Sequence, residues 1–478
     1  MTHEFMEKNM NFYDDIDKYK DRIAIITDDE RTILYRDLIK TADKISENVN
    51  ERSIIFLICE NSFASIAAYI GFLRKRAVPV LINPKNDISM FKALYDTYRP
   101  RYVFCKTDRD CAGIEIMCVD DFHLLKTENE NDYSINPELA VMLTTSGSTG
   151  SSKLVMQTYS NITSNAASIV QYLKIDKDDR AITTMPMNYT YGLSIIQSHL
   201  LSGACIIVTE KTFMDKSFWT LLKEKKATTF GGVPYVYEIL KKLRFANMNV
   251  PDLKYITQAG GRLSKEMVLE YAEICRDKGM KFIVMYGQTE ATARMSYLPW
   301  ENIFDKAGSV GIAIPDGEFM LIGIDEKQIK KPGQVGELVY SGPNVTLGYA
   351  EKITDLSNTD GFNGVLHTGD MAKFDDEGFY YIVGRKKRFL KVFGNRVNLD
   401  EMDSLLESAG YECACSGTDD HVKIYIVSDN ENDCQAAIDF ISTKTKLNKV
   451  AFSASLIKEI PRNSSGKISY SKLEELHG

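Results

Sequence analysis

Leu139-Ala140-Val141-Met142-Leu143-Thr144-Thr145-Ser146-Gly147-Ser148-Thr149-Gly150-Ser151-Ser152-Lys153-Leu154-Val155-Met156 is the stretch on which the reading of this chain turns. Its apolar start reads as a buried strand and its apolar end as a second, shorter one, with a hydroxyl-rich loop between them. Gly147 and Gly150 let the backbone come close to a ligand with φ > 0, turned N–H groups form a concavity, and Lys153 adds positive charge. The loop is not the helix-capping phosphate loop, because Ser152 stands where that pattern requires glycine. Taken alone, it reads either as an anion cradle or as a solvated Ser/Gly linker.

Outward from this loop, strands alternate with helices. Residues 33–49 carry Leu34, Leu38, Ile39, Ala42 and Ile45 at helical spacing. Ile54–Cys59 and Ala77–Ile82 read as strands around a helix at Ser62–Phe72. After the loop, Ser160 is positioned to cap a helix with Ile162, Ala166, Ile169, Val170 and Leu173 on its inward face. Strand signals continue at Ala181–Met185, Ala204–Val208, Thr228–Phe230, Tyr255–Gln258 and Lys281–Tyr286. This alternation predicts an α/β fold: a large N-terminal domain of doubly wound, mostly parallel sheets. From about Val310 the texture changes to short strands and turns, a β-rich subdomain. Beyond Gly384 a small α+β unit follows, with a hairpin, helices at Leu399–Ser408 and Gln435–Thr443, and strands at Val422–Val427 and Ser455–Ile457. The expected division is 1–384 and 385–478.

Composition bounds the function. The chain has 478 residues, 44% hydrophobic and 26% charged, as in ordinary globular proteins. A net charge of −8 argues against nucleic acid or an anionic membrane as the main partner, so any polyphosphate must be held by a local basic site. The start, Met1–Phe12, has no apolar core of a signal peptide. The most apolar stretch, Ile54–Ile82, is interrupted by Glu60 and Arg74-Lys75-Arg76, so no membrane span is expected. Nine scattered cysteines fit reduced thiols and a cytoplasmic location. Cys413-Ala414-Cys415 with His421 is too loosely spaced for a metal site, and these cysteines read as structural.

Several turns follow apolar strands and suit the ligand crevice at the carboxyl ends of an open sheet. Gly260-Gly261 follows Tyr255–Gln258, and Tyr286-Gly287-Gln288-Thr289-Glu290 follows Phe282–Met285. An aromatic beside glycine can stack on a base, threonine can bond phosphate, and glutamate can hold Mg2+ on phosphate oxygens. The same Thr-Glu pair also reads as a helix start. Asp370, in His367-Thr368-Gly369-Asp370, can accept from both ribose hydroxyls or simply shape a turn. The basic run Arg385-Lys386-Lys387-Arg388 reads locally as a solvated face or a nucleic-acid patch. Lys467 leaves the turn-rich loop Pro461-Arg462-Asn463-Ser464-Ser465-Gly466, which alone reads as a surface turn.

Taken in order, these motifs resemble the adenylate-forming superfamily of acyl-CoA synthetases, peptide-synthetase adenylation domains and beetle luciferases, over nearly the whole chain. The resemblance implies roles residue by residue. Thr144, Thr145, Ser146, Gly147, Ser148, Thr149, Gly150 and Lys153 match the phosphate loop. Gly260, Gly261, Tyr286, Gly287 and Gln288 would border the nucleotide, with Tyr286 on adenine. Thr289 would contact the α-phosphate and Glu290 would hold Mg2+. Asp370, helped by Arg385, would bind the ribose. Lys387 matches the hinge of a mobile C-terminal lid, Gly394 the pantetheine tunnel, and Lys467 the catalytic lysine.

The resemblance therefore implies an ATP-dependent carboxylic acid–thiol ligase. It would form an acyl-adenylate and pass the acyl group to CoA or to the phosphopantetheine of a carrier protein. Two alternatives remain at this point: a catalytically silent nucleotide-binding protein, and a luciferase-like oxidation. The family often has His in a Pro-x-x-His-x-x-Gly stretch, where Pro186–Gly192 here carries Tyr189. Relatives that activate amino acids place an Asp nearby, and none occurs between Met185 and Thr209, which disfavours an α-amino acid. Tyr189, Gly231, Gly232, Val233 and Gly260 are the candidate wall of the acid pocket, although Val233 equally suits ordinary core packing.

Overall fold

The computed structural model describes residues 11–85, 88–106, 113–130, 133–144, 153–323, 325–393, 395–462 and 468–477. The chain divides into two compact units: Met1–Glu318 with Ser341–Leu366, and Phe319–Tyr340 with His367–Gly478. The β-rich segment expected from about Val310 thus groups largely with the C-terminal residues. The 385–478 boundary concerns where a lid would turn, which compactness does not address.

The first unit holds two sheets. In the eight-stranded one the order is Gly348–Ala350, Leu154–Thr158, Leu139–Thr144, Val78–Ile82, Ile54–Ile58, Tyr102–Lys106, Phe122–Lys126 and Ile114–Val119. Its four inner strands, Leu139–Thr144 through Tyr102–Lys106, run parallel. Their side chains are apolar on both faces, as buried parallel strands require. The nine-stranded sheet runs Ile312–Ala313, Ser296–Tyr297, Lys281–Tyr286, Tyr255–Gln258, Thr229–Gly232, Arg180–Ile182, Cys205–Ile207, Ile23–Ile26 and Thr32–Leu34.

Helices fill the space between the two sheets. One buried cluster joins Ile25 and Ile206 of the nine-stranded sheet to Ile55, Leu81 and Val141 of the other, through Leu38, Ile66, Ile162 and Ile196. Helix Phe63–Arg74 is apolar nearly all round and buried along almost its whole length, as a helix packed on every side must be. Among the described residues no helix is long and apolar enough to cross a membrane.

Two local expectations are corrected. Thr158, not Ser160, caps helix Tyr159–Leu173: its hydroxyl accepts from the Asn161 backbone at 3.0 Å, and Asn161 Oδ1 accepts from the Thr158 backbone at 2.9 Å. The strand runs directly into the helix, and this reciprocal pair satisfies two otherwise orphaned donors. The helix read over 33–49 spans Tyr35–Ser46, because Leu34 ends a strand paired with Ile23–Ile26.

The second unit holds the five-stranded sheet Gln328–Ile329, Glu318–Ile322, Gly336–Ser341, Val365–Phe374 and Tyr380–Arg385. It continues as a hairpin, Phe389–Val392 with Asn395–Asn398, and a three-stranded sheet with helices Leu399–Ser408, Asn432–Thr445 and Tyr470–His477. Cys413–Thr418 is a strand the sequence reading missed. Cys413 and Cys415 point into one buried cluster and Ala414 into another, so both faces are covered and the alternation is hidden. The described residues contain no group of three metal-type ligands.

Candidate active site

The nine-stranded sheet reverses its order at Arg180–Ile182. The chain goes first to Cys205–Ile207 on one side, then crosses back to Thr229–Gly232 and onward to Tyr255–Gln258 and Lys281–Tyr286. A switch of this kind leaves a crevice outside the carboxyl ends of the strands. The residues just past those ends are Tyr189, Val233, Gly260 and the turn from Gly287 to Glu290.

Geometry brings the expected acid-pocket wall together. Gly260 has φ of 83°, and a Cβ there would lie 2.6 Å from Tyr189 Oη and 3.0 Å from Val233 Cγ1. Thr184 Oγ1 donates to the Gly231 carbonyl at 2.6 Å, tying the approach to Tyr189 onto the next strand. Burial pushes the Tyr189 phenol up to about 12, so it stays neutral. Gly232 faces away from this group, against Val236 and Tyr237, and serves packing instead. Gly261 accepts from Gln258 Nε2 at 2.8 Å, which fixes the turn after the strand.

The Tyr286–Glu290 turn is held from both sides. A Cβ on Gly287 would sit 1.8 Å from the Ala293 carbonyl oxygen, so only glycine fits. Gly287→Ala should therefore lower stability by about 1–3 kcal/mol through overpacking and weaken nucleotide binding, as read by urea unfolding and ATP titration. Gln157 Nε2 donates to the carbonyls of Thr289 (3.4 Å) and Thr292 (3.3 Å), joining the turn to the strand that leaves the hydroxyl-rich loop. Thr292 has φ of 66°, a strained backbone for a β-branched residue, pinned by its hydroxyl on the Asn344 carbonyl at 2.7 Å.

Glu290 Oε1 accepts from the Tyr349 hydroxyl at 2.8 Å. On the same tyrosine, Lys153 Nζ lies 3.7 Å from the ring centroid, and 3.5 Å from the Glu351 carboxylate. Tyr349 is thus the shared contact between the loop lysine and the glutamate. It lies on strand Gly348–Ala350, opposite Val155. The sequence reading missed Tyr349; nothing in Leu347-Gly348-Tyr349-Ala350 marks it locally.

In the second unit, Asp370 is 3% exposed and pairs with Arg385 Nε at 3.0 Å, the two lying opposite each other on adjacent antiparallel strands. Lys386 reaches Glu337 at 2.8 Å, and Arg388 bonds Asp400 and, at 2.6 Å, Asp403. The described side chains of the basic run, Arg385, Lys386 and Arg388, are thus each matched by carboxylates. Arg462 and Ile468 form an isolated antiparallel bridge. Thr144 ends its strand half-buried, opposite Leu154. Thr145, Ser146, Gly147, Ser148, Thr149, Gly150, Gly394 and Lys467 lie outside the described residues, as does the side chain of Lys387.

Residues 12–350 match the family model of AMP-binding enzymes. The chain belongs to the AMP-binding enzyme family. A 2-succinylbenzoate–CoA ligase of Listeria innocua is 27% identical to this AMP-binding enzyme over 93% of each chain. One from Bacillus anthracis is 26% identical over 95% of this chain and 96% of its own. Among solved structures, o-succinylbenzoate CoA synthetase from Bacillus subtilis, in complex with its acyl-adenylate intermediate, has a TM-score of 0.79 at 20% identity, over 97% and 98% of the two chains. ATP-bound MatB from Rhodopseudomonas palustris has a TM-score of 0.80 at 22% identity, over 98% and 99%. The AMP-binding enzyme thus shares the fold of these structures from end to end.

Proposed function

We propose that this AMP-binding enzyme is an ATP-dependent carboxylic acid–CoA ligase. A carboxylate oxygen attacks the α-phosphorus of ATP, the bond to pyrophosphate breaks, and an acyl-adenylate forms. A thiol then attacks the acyl carbon and AMP leaves. The observation that carries the reading is the juxtaposition of Lys153 and Glu290 across Tyr349, within a chain whose relatives are acid–CoA ligases.

The first step brings two anions together, so the site must supply positive charge and donors where negative charge develops. Lys153 and the loop Thr144–Gly150 take the phosphates, with Thr289 at the α-phosphate. Glu290 suits Mg2+: it is a hard oxygen ligand, and the described residues engage only its Oε1. Bound there, Mg2+ would neutralise phosphate charge. Tyr286, with Gly260 and Gly261, borders the adenine, while Asp370 and Arg385 take the ribose.

Lys467 is assigned to adenylation and Gly394 to the thiol passage, on a lid of residues 385–478 turning at Lys387. CoA is the proposed acceptor, since the relatives named above are CoA ligases; a carrier-protein pantetheine is the alternative thiol. A cytoplasmic setting suits both thiols. The test is acid-dependent exchange of radiolabelled pyrophosphate into ATP, with 2-succinylbenzoate as the first acid in a wider panel. Exchange that no carboxylic acid stimulates would remove the assignment.

A further inference from the structure

The turn after strand Lys281–Tyr286 keeps an unusual backbone. Thr292 has φ of 66° and ψ of −50°, and the Ala293 N–H donates to the Ala291 carbonyl at 2.7 Å. These angles with that bond make a γ-turn of positive φ, the rare and strained form. A β-branched residue tolerates it poorly. Such a conformation persists only where its surroundings over-determine it, and such places cluster at functional sites.

Here the surroundings act on the carbonyls. Gln157 Nε2 donates to those of Thr289 and Thr292. Asn344 Nδ2 donates to those of Ala291 (2.9 Å) and Arg294 (3.0 Å), and the Thr346 backbone to that of Glu290 at 3.0 Å. Asn165 Nδ2 adds a second bond to the Arg294 carbonyl at 2.9 Å. All four donor residues are buried, so the carbonyl oxygens are drawn inward. Beside a phosphate this matters, because a carbonyl oxygen carries partial negative charge and opposes any anion it faces.

The amides are costly to keep. Gln157 Oε1 and Asn165 Oδ1 are buried without a hydrogen-bond partner among the described residues. A buried acceptor left unpaired costs free energy that an apolar side chain of similar shape does not. Packing alone therefore favours Leu or Met at these positions. What the amides supply instead is an NH2 group on the turn.

Asn344 does the most. Its side chain holds the chain on both sides of Thr292, and its own carbonyl accepts from the Thr292 hydroxyl at 2.7 Å. It is anchored in its turn. Asn161 Nδ2 donates to the carbonyls of Pro343 (2.7 Å) and Val345 (2.9 Å), and the Leu347 N–H to that of Met156 at 3.0 Å. The stretch from Asn344 to Tyr349 also reaches Glu290 twice, by Thr346 at the backbone and by Tyr349 at the carboxylate.

We infer that Asn344 and Gln157 are positioning residues for adenylation: they hold Thr292 in its strained turn, and the turn fixes Thr289 and the Glu290 carboxylate toward Mg2+–ATP. The inference rests on the ligase reading above and adds what sets that site.

The experiment follows pyrophosphate exchange against Mg2+ at fixed ATP in Asn344→Ala, Thr292→Gly, the double variant and Gln157→Met. Asn344→Ala should raise the Mg2+ needed for half-saturation about 10- to 100-fold, as loss of a group behind a metal ligand does. The KM for the acid should change only a few-fold. Gln157→Met removes the unpaired oxygen together with the donor, so it should shift the Mg2+ response the same way with little change in melting temperature. Thr292→Gly alone should shift it little, because glycine takes a positive φ without strain. Joined to Asn344→Ala, it should restore most of the Mg2+ response, since no strain then has to be held. A purely structural Asn344 predicts no such recovery, only losses that add.

A double variant no better than Asn344→Ala overturns the inference. So does an Asn344→Ala enzyme that melts lower with an unaltered Mg2+ response. Both outcomes leave the ligase reading standing. If Asn344→Ala does not fold, Gln157→Met decides, and an unchanged Mg2+ response there overturns the inference. If no acid stimulates exchange in the unaltered enzyme, the ligase reading falls by itself. Calorimetric titration of ATP at several Mg2+ concentrations then decides the inference by the same comparison of variants.

Discussion

Lys467→Ala is expected to abolish adenylation almost completely while sparing the second half of the reaction. Acid-dependent pyrophosphate exchange should fall by on the order of 10²–10³-fold or more, the effect of removing one donor aimed at developing negative charge. Thioester formation from a supplied acyl-adenylate should proceed within a few-fold of the unaltered enzyme. The asymmetry follows from the charges. In the first step an ammonium is needed beside the pentavalent phosphorus and the departing pyrophosphate. In the second, the acyl carbon is already activated and AMP is a stable leaving group. The same variant separates chemistry from binding, because ATP affinity should change less than exchange does. Equal loss of both half-reactions would remove Lys467 from the role given to it.

Glu290→Gln is expected to be the next most damaging change, lowering exchange by on the order of 100-fold and shifting half-saturation by Mg2+ upward. The carboxylate keeps its place through Tyr349, whose hydroxyl donates to it at 2.8 Å. Tyr349→Phe removes that donor but leaves the ring beneath Lys153. A partner that orients a metal ligand typically contributes about 10- to 100-fold, so Tyr349→Phe should show a smaller Mg2+ shift in the same direction. Titrating Mg2+ at fixed ATP checks both variants. A Glu290→Gln enzyme with unchanged Mg2+ dependence would show that the glutamate only shapes the turn.

Much of the fold was legible because it depends on short-range patterns. The strands Tyr255–Gln258 and Lys281–Tyr286 and the helix Leu399–Ser408 lie where hydrophobic periodicity put them. The errors have local physical causes. The pattern offers Ser160 as a cap because it does not say where a strand stops; the reciprocal Thr158–Asn161 bonds settle it. Cys413–Thr418 was missed because burial on both faces removes the alternation by which a strand is recognised.

The sequence by itself determined the order of elements, the turn chemistry at the ends of the strands, and the succession of motifs that marks the family, since each depends on residues a few positions apart. It placed Tyr189 and Gly260 on one candidate pocket, and their contact follows. Only the tertiary structure decided that Tyr349 stands between Lys153 and Glu290, that Gln157 ties down the Thr289–Thr292 turn, and that Arg294 is buried against Ser194 and Tyr191. Those contacts join residues tens to hundreds of positions apart. Sheet order and helix packing create them, and no local pattern in the chain encodes either one.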